Sequence, residues 1–341
     1  MTQQVDGGAA EAQLYSLTCQ LLTIHESLLR DRNRNVAFFE ALRRSLTKGG
    51  TVLDIGSGSG VWAIAAAKLG ADQVVAIEQE PLLVGLISNL AQENGVADRV
   101  RVVQGNSTQV QLDIQCDVVI SETIGHVIFD EQIVQIMIDA RRRFLKPGGV
   151  LIPGGVTLLA APAHYCASDQ LPAGISGDFS YFESLILNVP VGLTDKNRLE
   201  LIGEPRELLR VDLSTVEAMP DLSNLHASWG QLETKNINCF AVWAEVSLVQ
   251  GINVETIKTT SWSTTVYRTK PFNQPQGDAE FKLGLTSNTN YWTTALTGAE
   301  LREEASYSPA FAGRELLARS RMTGDLFKNL KFGLQQDLND A

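Results

Sequence analysis

The hydrophobic pattern of the first half of the chain switches repeatedly between a helical and a strand period. Over residues 11–46, leucine and isoleucine recur close to every 3.6 residues, which predicts helix up to Gly49-Gly50. Between residues 51 and 159, short β-branched runs alternate with helical stretches, and this order predicts a doubly wound parallel sheet of the α/β class. The predicted strands are 51–55, 73–78, 100–104, 117–121 and 150–152, and the predicted helices are 61–69, 81–94 and 131–144.

The pattern changes after Pro153. Beyond this proline, strand-like runs at 156–161, 238–249, 259–267 and 281–285 follow one another with little helix between them, as in a β-sandwich or β-barrel. Residues 170–225 contain several prolines and predict no clear element. We divide the chain into N-terminal helices 1–50, an α/β domain 51–153, a strand-rich domain 154–300 and a C-terminal helix and charged tail 301–341.

Composition indicates which partners the protein binds and in which cellular compartment it lies. The chain has 341 residues, of which 44% are hydrophobic, so it can bury the cores of about two domains. Its net charge is −11 and it has no run of lysine or arginine, which disfavours a nucleic-acid partner. No stretch approaches the roughly 18 apolar residues of a membrane span, and the N-terminus lacks the apolar core of a signal peptide. We expect a cytoplasmic protein with no membrane partner.

The cysteines and histidines predict neither a disulfide framework nor a metal site. The four cysteines lie far apart and form no CxxC pair, and the four histidines are equally scattered. Zinc and similar ions need three or four such ligands brought together, usually with short spacings in at least one pair. We therefore expect no metal.

A glycine-rich turn follows the first predicted strand. Gly56, Gly58 and Gly60 stand at every second position after Asp54, and a helix is predicted to begin at the next residue. Glycine allows the backbone to approach a ligand where a Cβ atom would collide with it. The simplest alternative is a tight strand–helix turn with no ligand, but the repeated glycines favour a binding site.

The acids around this turn indicate which ligand it takes. Asp54 lies where a carboxylate could hold a ligand cation, and Glu78 ends the next predicted strand, where an acid can accept both ribose hydroxyls. A dinucleotide-binding GxGxxG turn would need glycine where Val61 stands, and its pyrophosphate would be repelled by the leading aspartate. The pattern therefore favours a cationic, phosphate-free nucleoside, S-adenosylmethionine.

Two glutamates, Glu122 and Glu131, follow the predicted strand 117–121. Open α/β sheets bind ligands at this edge, and nine helical steps of about 100° would place the acids on opposite faces of one helix. A hairpin bending near Gly125 could instead aim both at one target. Two converging carboxylates suit a planar guanidinium, which donates parallel hydrogen bonds. The spacing alone leaves open that these are two solvated loop acids.

Four segments together give the chain a family resemblance. They are the run from Ile24 to Arg34, the glycine turn with Glu78, the Glu122 and Glu131 pair, and Thr260-Ser261-Trp262. With these the chain resembles the protein arginine N-methyltransferases over roughly residues 15–160 and again around 238–272. The resemblance implies that the N-terminal helices, 1–50, are capping helices that cover the cofactor. It also implies a Rossmann-like methyltransferase domain followed by a β-barrel with a dimerisation arm, and hence a homodimer.

The resemblance also assigns roles to individual residues. It implies that Glu122 and Glu131 are catalytic and grip the substrate guanidinium, and that Trp262 and Ser261 lie beside the substrate. The cofactor-binding residues it implies or supports are His25, Arg34, Asp54, Gly56, Gly58, Gly60 and Glu78, with Ser107 and Thr108 near the adenine. The products would be S-adenosylhomocysteine and a methylarginine.

Because the chain departs from the family pattern at several positions, three functions are considered. Ser261 replaces the histidine of the Thr-His-Trp motif, while Thr123 and His126 replace aromatic residues common between the two glutamates. The leading prediction is methylation of arginine in a protein or peptide. A remodelled pocket would favour free L-arginine or another small guanidino metabolite in a biosynthetic pathway. Loss of the motif histidine motivates a third hypothesis, a non-catalytic S-adenosylmethionine-binding scaffold.

Overall fold

The structure is a computed structural model that describes residues 7–125, 129, 131–166, 178–272, 274–286 and 290–319. The described residues fall into two compact units. The first takes in the chain up to Cys166 together with Gly192–Asp221 and Ala241–Val266. The second takes in Leu222–Phe240 and the described parts of Ala167–Val191 and Tyr267–Ala341. Within the described residues, no helix is both long and apolar enough to cross a bilayer.

A five-stranded parallel sheet forms the centre of the first unit, as the sequence predicts. Its strands are hydrogen-bonded in the order β3-β2-β1-β4-β5. Their side chains are largely buried because helices cover such sheets on both faces. The strands are β1 (Thr51–Ile55), β2 (Gln73–Glu78), β3 (Val100–Gln104), β4 (Cys116–Ser121) and β5 (Leu145–Ile152), and the helices are α3 (Val61–Lys68), α4 (Pro81–Glu93) and α5 (Ile133–Arg143).

Strand β5 begins earlier than the hydrophobic pattern indicates. Its first residue, Leu145, pairs with Cys116, and an irregularity in the register follows before Val118 pairs with Val150. The segment between contains a proline and two glycines, which read as a turn in the sequence. A strand at the edge of a sheet tolerates these residues because one side of its backbone needs no partner.

Two helices precede the sheet, where the sequence predicts helix over 11–46. They are α1 (Gly7–Arg30) and α2 (Arg32–Ser45). Asp31 separates them in an extended conformation and caps α2, because its side chain accepts a hydrogen bond from the Arg34 backbone N–H. Phe38 and Leu42 of α2 are fully buried. This cap fixes where α2 starts and which of its side chains turn inward.

A strand-rich region follows β5, as predicted from the change at Pro153. Strand β6 pairs antiparallel with both β8 and β9, and β11 pairs antiparallel with β12. The sheet order is β7-β13-β11-β6-β8. These strands are β6 (Gly155–Tyr165), β7 (Val191–Leu193), β8 (Leu199–Leu201), β9 (Arg206–Asp212), β11 (Cys239–Val249), β12 (Ile252–Glu255) and β13 (Thr264–Arg268).

The second unit contains a four-stranded antiparallel sheet in the order β10-β14-β15-β16. Its core is aromatic: the Phe281 ring stacks on Phe240 with centroids 4.9 Å apart, and Trp292 meets Tyr267 edge-on at 5.0 Å. The elements are α6 (Ser180–Ile186), β10 (Leu225–Leu232), β14 (Gly277–Leu285), β15 (Asn290–Thr297), β16 (Arg302–Tyr307) and α7 (Pro309–Arg319).

The predictions for the start of 301–341 and for 259–267 also differ from the structure. Strand β16 occupies the start of the segment 301–341, which we predicted as helix and tail; its charged residues hide the alternation because most of them face solvent. The strand predicted over 259–267 begins only at Thr264. The residues before it form an irregular segment because side chains from elsewhere in the first unit bind their backbone groups.

Candidate active site

Three adjacent parallel strands bring the predicted site together. β1 lies between β2 and β4, so the carboxyl ends of all three meet at one edge of the sheet. The glycine turn leaves β1 there, Glu78 ends β2, and Glu122 follows the last residue of β4. The sheet topology therefore places the glycine turn and both acids side by side.

The glycine turn holds a backbone that other residues adopt with strain. Gly56, Gly58 and Gly60 have φ values of +66°, +55° and +78°. Gly60 is the N-cap of α3 and has no side chain to cap it. Asp54 replaces that cap, because its Oδ2 accepts hydrogen bonds from Ala63 N at 3.0 Å and from the Ser57 hydroxyl at 2.6 Å.

Asp54 lies deeper than the sequence analysis placed it. We expected its carboxylate beside a ligand cation, but the side chain is fully buried and directs Oδ2 into the turn and the start of α3. Burial raises the pKa of Asp54 to about 7, although its hydrogen bonds to Ser57 and Ala63 act in the opposite direction. Asp54 thus shapes the turn through Oδ2, while its buried Oδ1 has no hydrogen-bond partner among the described residues, and its contact with a ligand stays a prediction.

Glu78 is oriented by two backbone donors. Its Oε2 accepts from Gly58 N at 2.8 Å and its Oε1 accepts from Glu80 N at 2.9 Å. Each carboxylate oxygen has two lone pairs, so both oxygens keep capacity for a further donor. Glu78 is therefore fixed beside the glycine turn while it retains the ability to accept a pair of hydroxyls.

His25 of α1 packs directly over the same turn. A Cβ atom built on Gly58 would lie only 2.5 Å from His25 Cε1, so the imidazole occupies the space that glycine leaves free. Burial and the nearby Arg34 lower the pKa of His25, while the charge of Glu78 opposes them. The capping-helix histidine thus meets the glycine turn and Glu78 in one place.

Glu122 is held by a buried arginine and by an indole. Arg34 Nη1 lies 2.7 Å from Glu122 Oε2, and Trp262 Nε1 donates to Oε1 at 2.8 Å. The side chain of Arg34 is 2% exposed and that of Glu122 is 12% exposed. Burial raises the pKa of Glu122 to about 7; Arg34 and the Trp262 hydrogen bond lower it, and the charges of Glu131 and Asp31 raise it. Burial therefore opposes the charged form of Glu122, and the contacts with Arg34 and Trp262 favour it.

Glu131 lies in an exposed turn two residues before α5 begins at Ile133. Its negative charge raises the pKa of Glu122, and the hairpin near Gly125 that would aim both acids at one target stays a prediction. Half of the connecting residues, His126 among them, lie outside the described part of the chain.

Asp31, which the sequence analysis did not single out, ties the capping helices to the segment around Trp262. Its Oδ2 accepts from the backbone N–H of Thr260 and Ser261, both at 2.8 Å, and from the Ser261 hydroxyl at 2.7 Å. The serine in place of the motif histidine is thus bonded to a buried acid. An aspartate directly before Arg32 was a helix-cap signal, but nothing in the sequence indicated its long-range partners.

Trp262 is almost completely buried between aromatic and charged neighbours. Phe38 meets its ring edge-on with centroids 6.1 Å apart, and the guanidinium carbon of Arg34 lies 5.9 Å from its centroid. With the indole N–H bonded to Glu122, the side chain has one orientation that satisfies all three neighbours. Arg34, Glu122 and Trp262 therefore form one packed cluster.

Ser107 and Thr108 lie in the loop after β3, and the contacts found for them are local. Asn106 Oδ1 accepts from Thr108 N at 3.0 Å, and Arg143 donates to the Ser107 carbonyl. Two arginines at the end of α5 bind loop carbonyls, because Arg141 donates to Leu213 O and Arg143 donates to Val110 O. Cofactor contacts by Ser107 and Thr108 stay a prediction.

No group of three or more histidine, cysteine, aspartate or glutamate side chains suited to a metal ion occurs among the residues that the structure describes. This is a statement about side-chain placement in those residues only. The expectation that the protein needs no metal therefore remains a prediction.

The parallel sheet, the glycine turn and the acid ending β2 are together typical of methyltransferases with an α/β fold. A family model described as ribosomal protein L11 methyltransferase (PrmA) matches residues 36–160. The structure is similar to the PRMT1 enzyme-prozyme heterotetrameric complex of Trypanosoma brucei with AdoHcy, at a TM-score of 0.70 and 22% identity over 84% of this chain and 97% of that one. Arabidopsis thaliana protein arginine methyltransferase 10 gives 0.69 and 21% over 85% and 99%. These likenesses show the fold.

The curated relatives that the chain resembles are arginine methyltransferases by name. The chain is 30% identical over 239 residues to an arginine N(omega)-methyltransferase of Streptomyces achromogenes subsp. streptozoticus, covering 67% of this chain and 65% of that protein. It is 37% identical over 141 residues to the probable protein arginine N-methyltransferase 6 of Arabidopsis thaliana, covering 41% and 32%. It thus spans about a third of the length of one relative and just under two thirds of the other. The chain is therefore similar to arginine N-methyltransferases over much of its length.

Proposed function

We propose that the protein is an S-adenosylmethionine-dependent N-methyltransferase that transfers a methyl group to a guanidino nitrogen of arginine in a protein or peptide. The observation that carries this proposal is Glu122, a nearly buried carboxylate with each oxygen oriented by one partner. A second acid, Glu131, acts on it electrostatically, and the glycine turn leaves the neighbouring strand. The names of the relatives support the same chemistry.

The residues present fit S-adenosylmethionine on grounds of donor chemistry. Glu78 is held in place and keeps acceptor capacity for ribose hydroxyls, and the positive φ values of Gly56 and Gly58 shape the turn beside it. Arg34 supplies a buried cation for the amino-acid carboxylate, with His25 beside it. When bound, the cofactor supplies an electrophilic sulfonium methyl. We propose that the cofactor is contacted directly by Glu78, Gly56, Gly58, Gly60, Arg34 and His25. Asp54 supports the glycine turn.

The two glutamates would bind the substrate and prepare its nitrogen for attack. A guanidinium is nearly always protonated and is therefore a poor nucleophile. Carboxylates that accept its parallel N–H donors draw positive charge away from the attacking nitrogen and hold it in line, which contributes proximity and orientation. In this scheme Glu122 and Glu131 are the catalytic residues, while Trp262 and Ser261 close the pocket beside them.

A small guanidino substrate is the second candidate. The observation that favours it is the similarity to a relative named arginine N(omega)-methyltransferase, a name that does not specify a protein substrate. The altered residues Thr123 and His126 between the glutamates also suit a remodelled pocket. A non-catalytic scaffold is less well supported, because the Ser261 position is integrated into the site through Asp31.

A methyl-transfer assay with mass-spectrometric product identification tests the proposal. Labelled S-adenosylmethionine is offered with an Arg/Gly-rich peptide and with free L-arginine in parallel. We expect label on the peptide, and fragment ions would show whether one or two methyl groups are added. Label on free arginine alone would establish the small-molecule alternative. Tight cofactor binding with label on neither would contradict both and favour the scaffold.

We further propose that the protein works as a homodimer in the cytoplasm. Large apolar side chains on α1 and α2, including Tyr15, Ile24 and Val36, are exposed and suit an interface. All four cysteines are free, as in a reducing compartment. Sedimentation equilibrium should give about twice the mass of one chain at micromolar concentration. A single-chain mass across the concentration range would overturn the dimer. Absence of nucleic-acid and membrane partners remains a prediction.

A further inference from the structure

We propose that Lys196 is a positioning residue that fixes the Trp262 loop, defined here as residues 258–262, and thereby holds Glu122 in its working orientation. The proposal concerns the orientation of Glu122 and rests on the proposed function for its catalytic meaning. Lys196 lies in a single helical turn, Lys196–Arg198, in a part of the sequence where no element was predicted. Neither the sequence pattern nor the family resemblance singled it out.

The Lys196 ammonium group binds two carbonyls of the Trp262 loop. Nζ donates to Thr259 O at 3.1 Å and also to Trp262 O. The side chain is half-buried, and it forms no salt bridge with any of the described acids. Burial lowers the pKa of Lys196, and the charge of Asp31 opposes that shift. A cation removed from water without a contacting acid is costly unless other groups solvate it, and here the two carbonyl dipoles do so.

Other side chains bind the backbone groups of the Trp262 loop that Lys196 does not reach. Asn33 Nδ2 donates to Lys258 O at 2.7 Å, and Asp31 accepts from the backbone of Thr260 and Ser261. These bonds fix the backbone of Lys258, Thr260 and Ser261 from the side of α2 and its cap. The carbonyls of Thr259 and Trp262 are bound by Lys196 instead. Lys196 therefore fixes the backbone of the residue whose indole reaches Glu122.

The link from Lys196 to Glu122 runs through one side chain. Trp262 Nε1 donates to Glu122 Oε1 at 2.8 Å, and this hydrogen bond lowers the pKa of Glu122 against the larger effect of burial. The charges that act on Glu122 are those of Arg34, Glu131 and Asp31. If the Trp262 backbone shifts, the indole bond lengthens, and the carboxylate loses both its orientation and part of its stabilisation in the charged form.

The first test follows the Trp262 indole by NMR in the protein without cofactor or substrate. The chain has five tryptophans, so ¹⁵N-tryptophan labelling gives a small set of indole N–H signals, and Trp262→Phe identifies the relevant one. In the native chain this signal should move with a midpoint near pH 7 as Glu122 titrates. In Lys196→Met it should shift and lose that pH response while the other indole signals stay. An unchanged Trp262 signal in Lys196→Met would overturn the proposal.

Lys146→Met is the matched control. Lys146 is also partly buried, but it binds the carboxylate of Asp117 and no carbonyl of the Trp262 loop. We expect it to leave the Trp262 signal and its titration unchanged. Lys196→Arg keeps the charge and should restore part of the signal's pH response. If Lys196→Met does not fold, Lys196→Gln, which keeps a donor but no charge, provides the same comparison.

The second test uses kinetics and separates this proposal from the proposed function. In Lys196→Met, kcat/KM for the guanidino substrate should fall about tenfold, with its acid limb moved to higher pH, while affinity for S-adenosylhomocysteine stays within about twofold. A fall with no shift of the acid limb would indicate a merely structural role and contradict the proposal. If the native chain methylates no guanidino substrate while the NMR result holds, the proposed function fails and the positioning role stands.

Discussion

Replacing Glu122 by glutamine should reduce methyl transfer by at least about a thousandfold while cofactor binding is largely retained. The amide has the shape of the carboxylate and can still accept from Trp262 Nε1, but it cannot carry the charge that faces Arg34 and would face a guanidinium. Single-turnover transfer measures the loss, and calorimetric titration with S-adenosylhomocysteine measures the binding.

A matched control tests whether the loss of activity depends on where the glutamate lies and is not caused by removing any ion-paired glutamate. Glu217 also pairs with two arginines, Arg141 and Arg142, but it is exposed and lies outside the site. Glu217→Gln should leave transfer within about twofold of the native rate, because exposed ion pairs contribute little. Transfer retained in Glu122→Gln to within tenfold would show that another group binds the substrate, and the proposed function would need revision.

Replacing Gly58 by alanine should weaken S-adenosylhomocysteine binding by about a hundredfold and lower the melting temperature. An L-residue at φ +55° costs about 1–2 kcal/mol, and the new methyl group would lie 2.5 Å from His25 Cε1. The imidazole and the helix that carries it would have to move away from the glycine turn. Titration calorimetry and thermal unfolding measure the two effects.

Gly95→Ala separates backbone strain from the collision with His25. Gly95 has φ +67°, close to the value at Gly58, but a Cβ there would meet nothing within 4 Å. This control should cost a similar strain in stability and leave cofactor affinity unchanged. Equal losses of affinity in the two variants would mean that the contact between His25 and the turn has no part in cofactor binding.

The parallel sheet was predictable because its signals are local. Strands β1, β2 and β3 begin and end where the hydrophobic runs begin and end, and the helices differ from prediction by one or two residues. Buried parallel strands consist of continuous apolar runs, and glycine or proline marks their ends. The strands of residues 191–212 were not predicted, because they are short and partly exposed, and most alternate too weakly to be recognised.

The candidate site was predictable only in part, and the family resemblance contributed more than spacing. The resemblance supplied Arg34 and Trp262, which the structure places in contact with or close to Glu122. Neither the residue spacing nor the family resemblance identified Asp31 or Lys196. Asp31 resembles an ordinary helix cap and Lys196 an ordinary surface lysine, because their partners lie far away in the sequence.

What the sequence determined by itself was the order of strands and helices in the parallel sheet, the glycine turn and the types of acid available at its edge, since each depends on neighbouring residues and on the hydrophobic period. The tertiary structure decided how deeply each acid is buried and which groups bind it: Asp54 lies beneath the turn, while Glu122 is held between Arg34 and Trp262. A side chain's charge state depends on its burial and on the partners around it, and those are brought together only when distant segments pack.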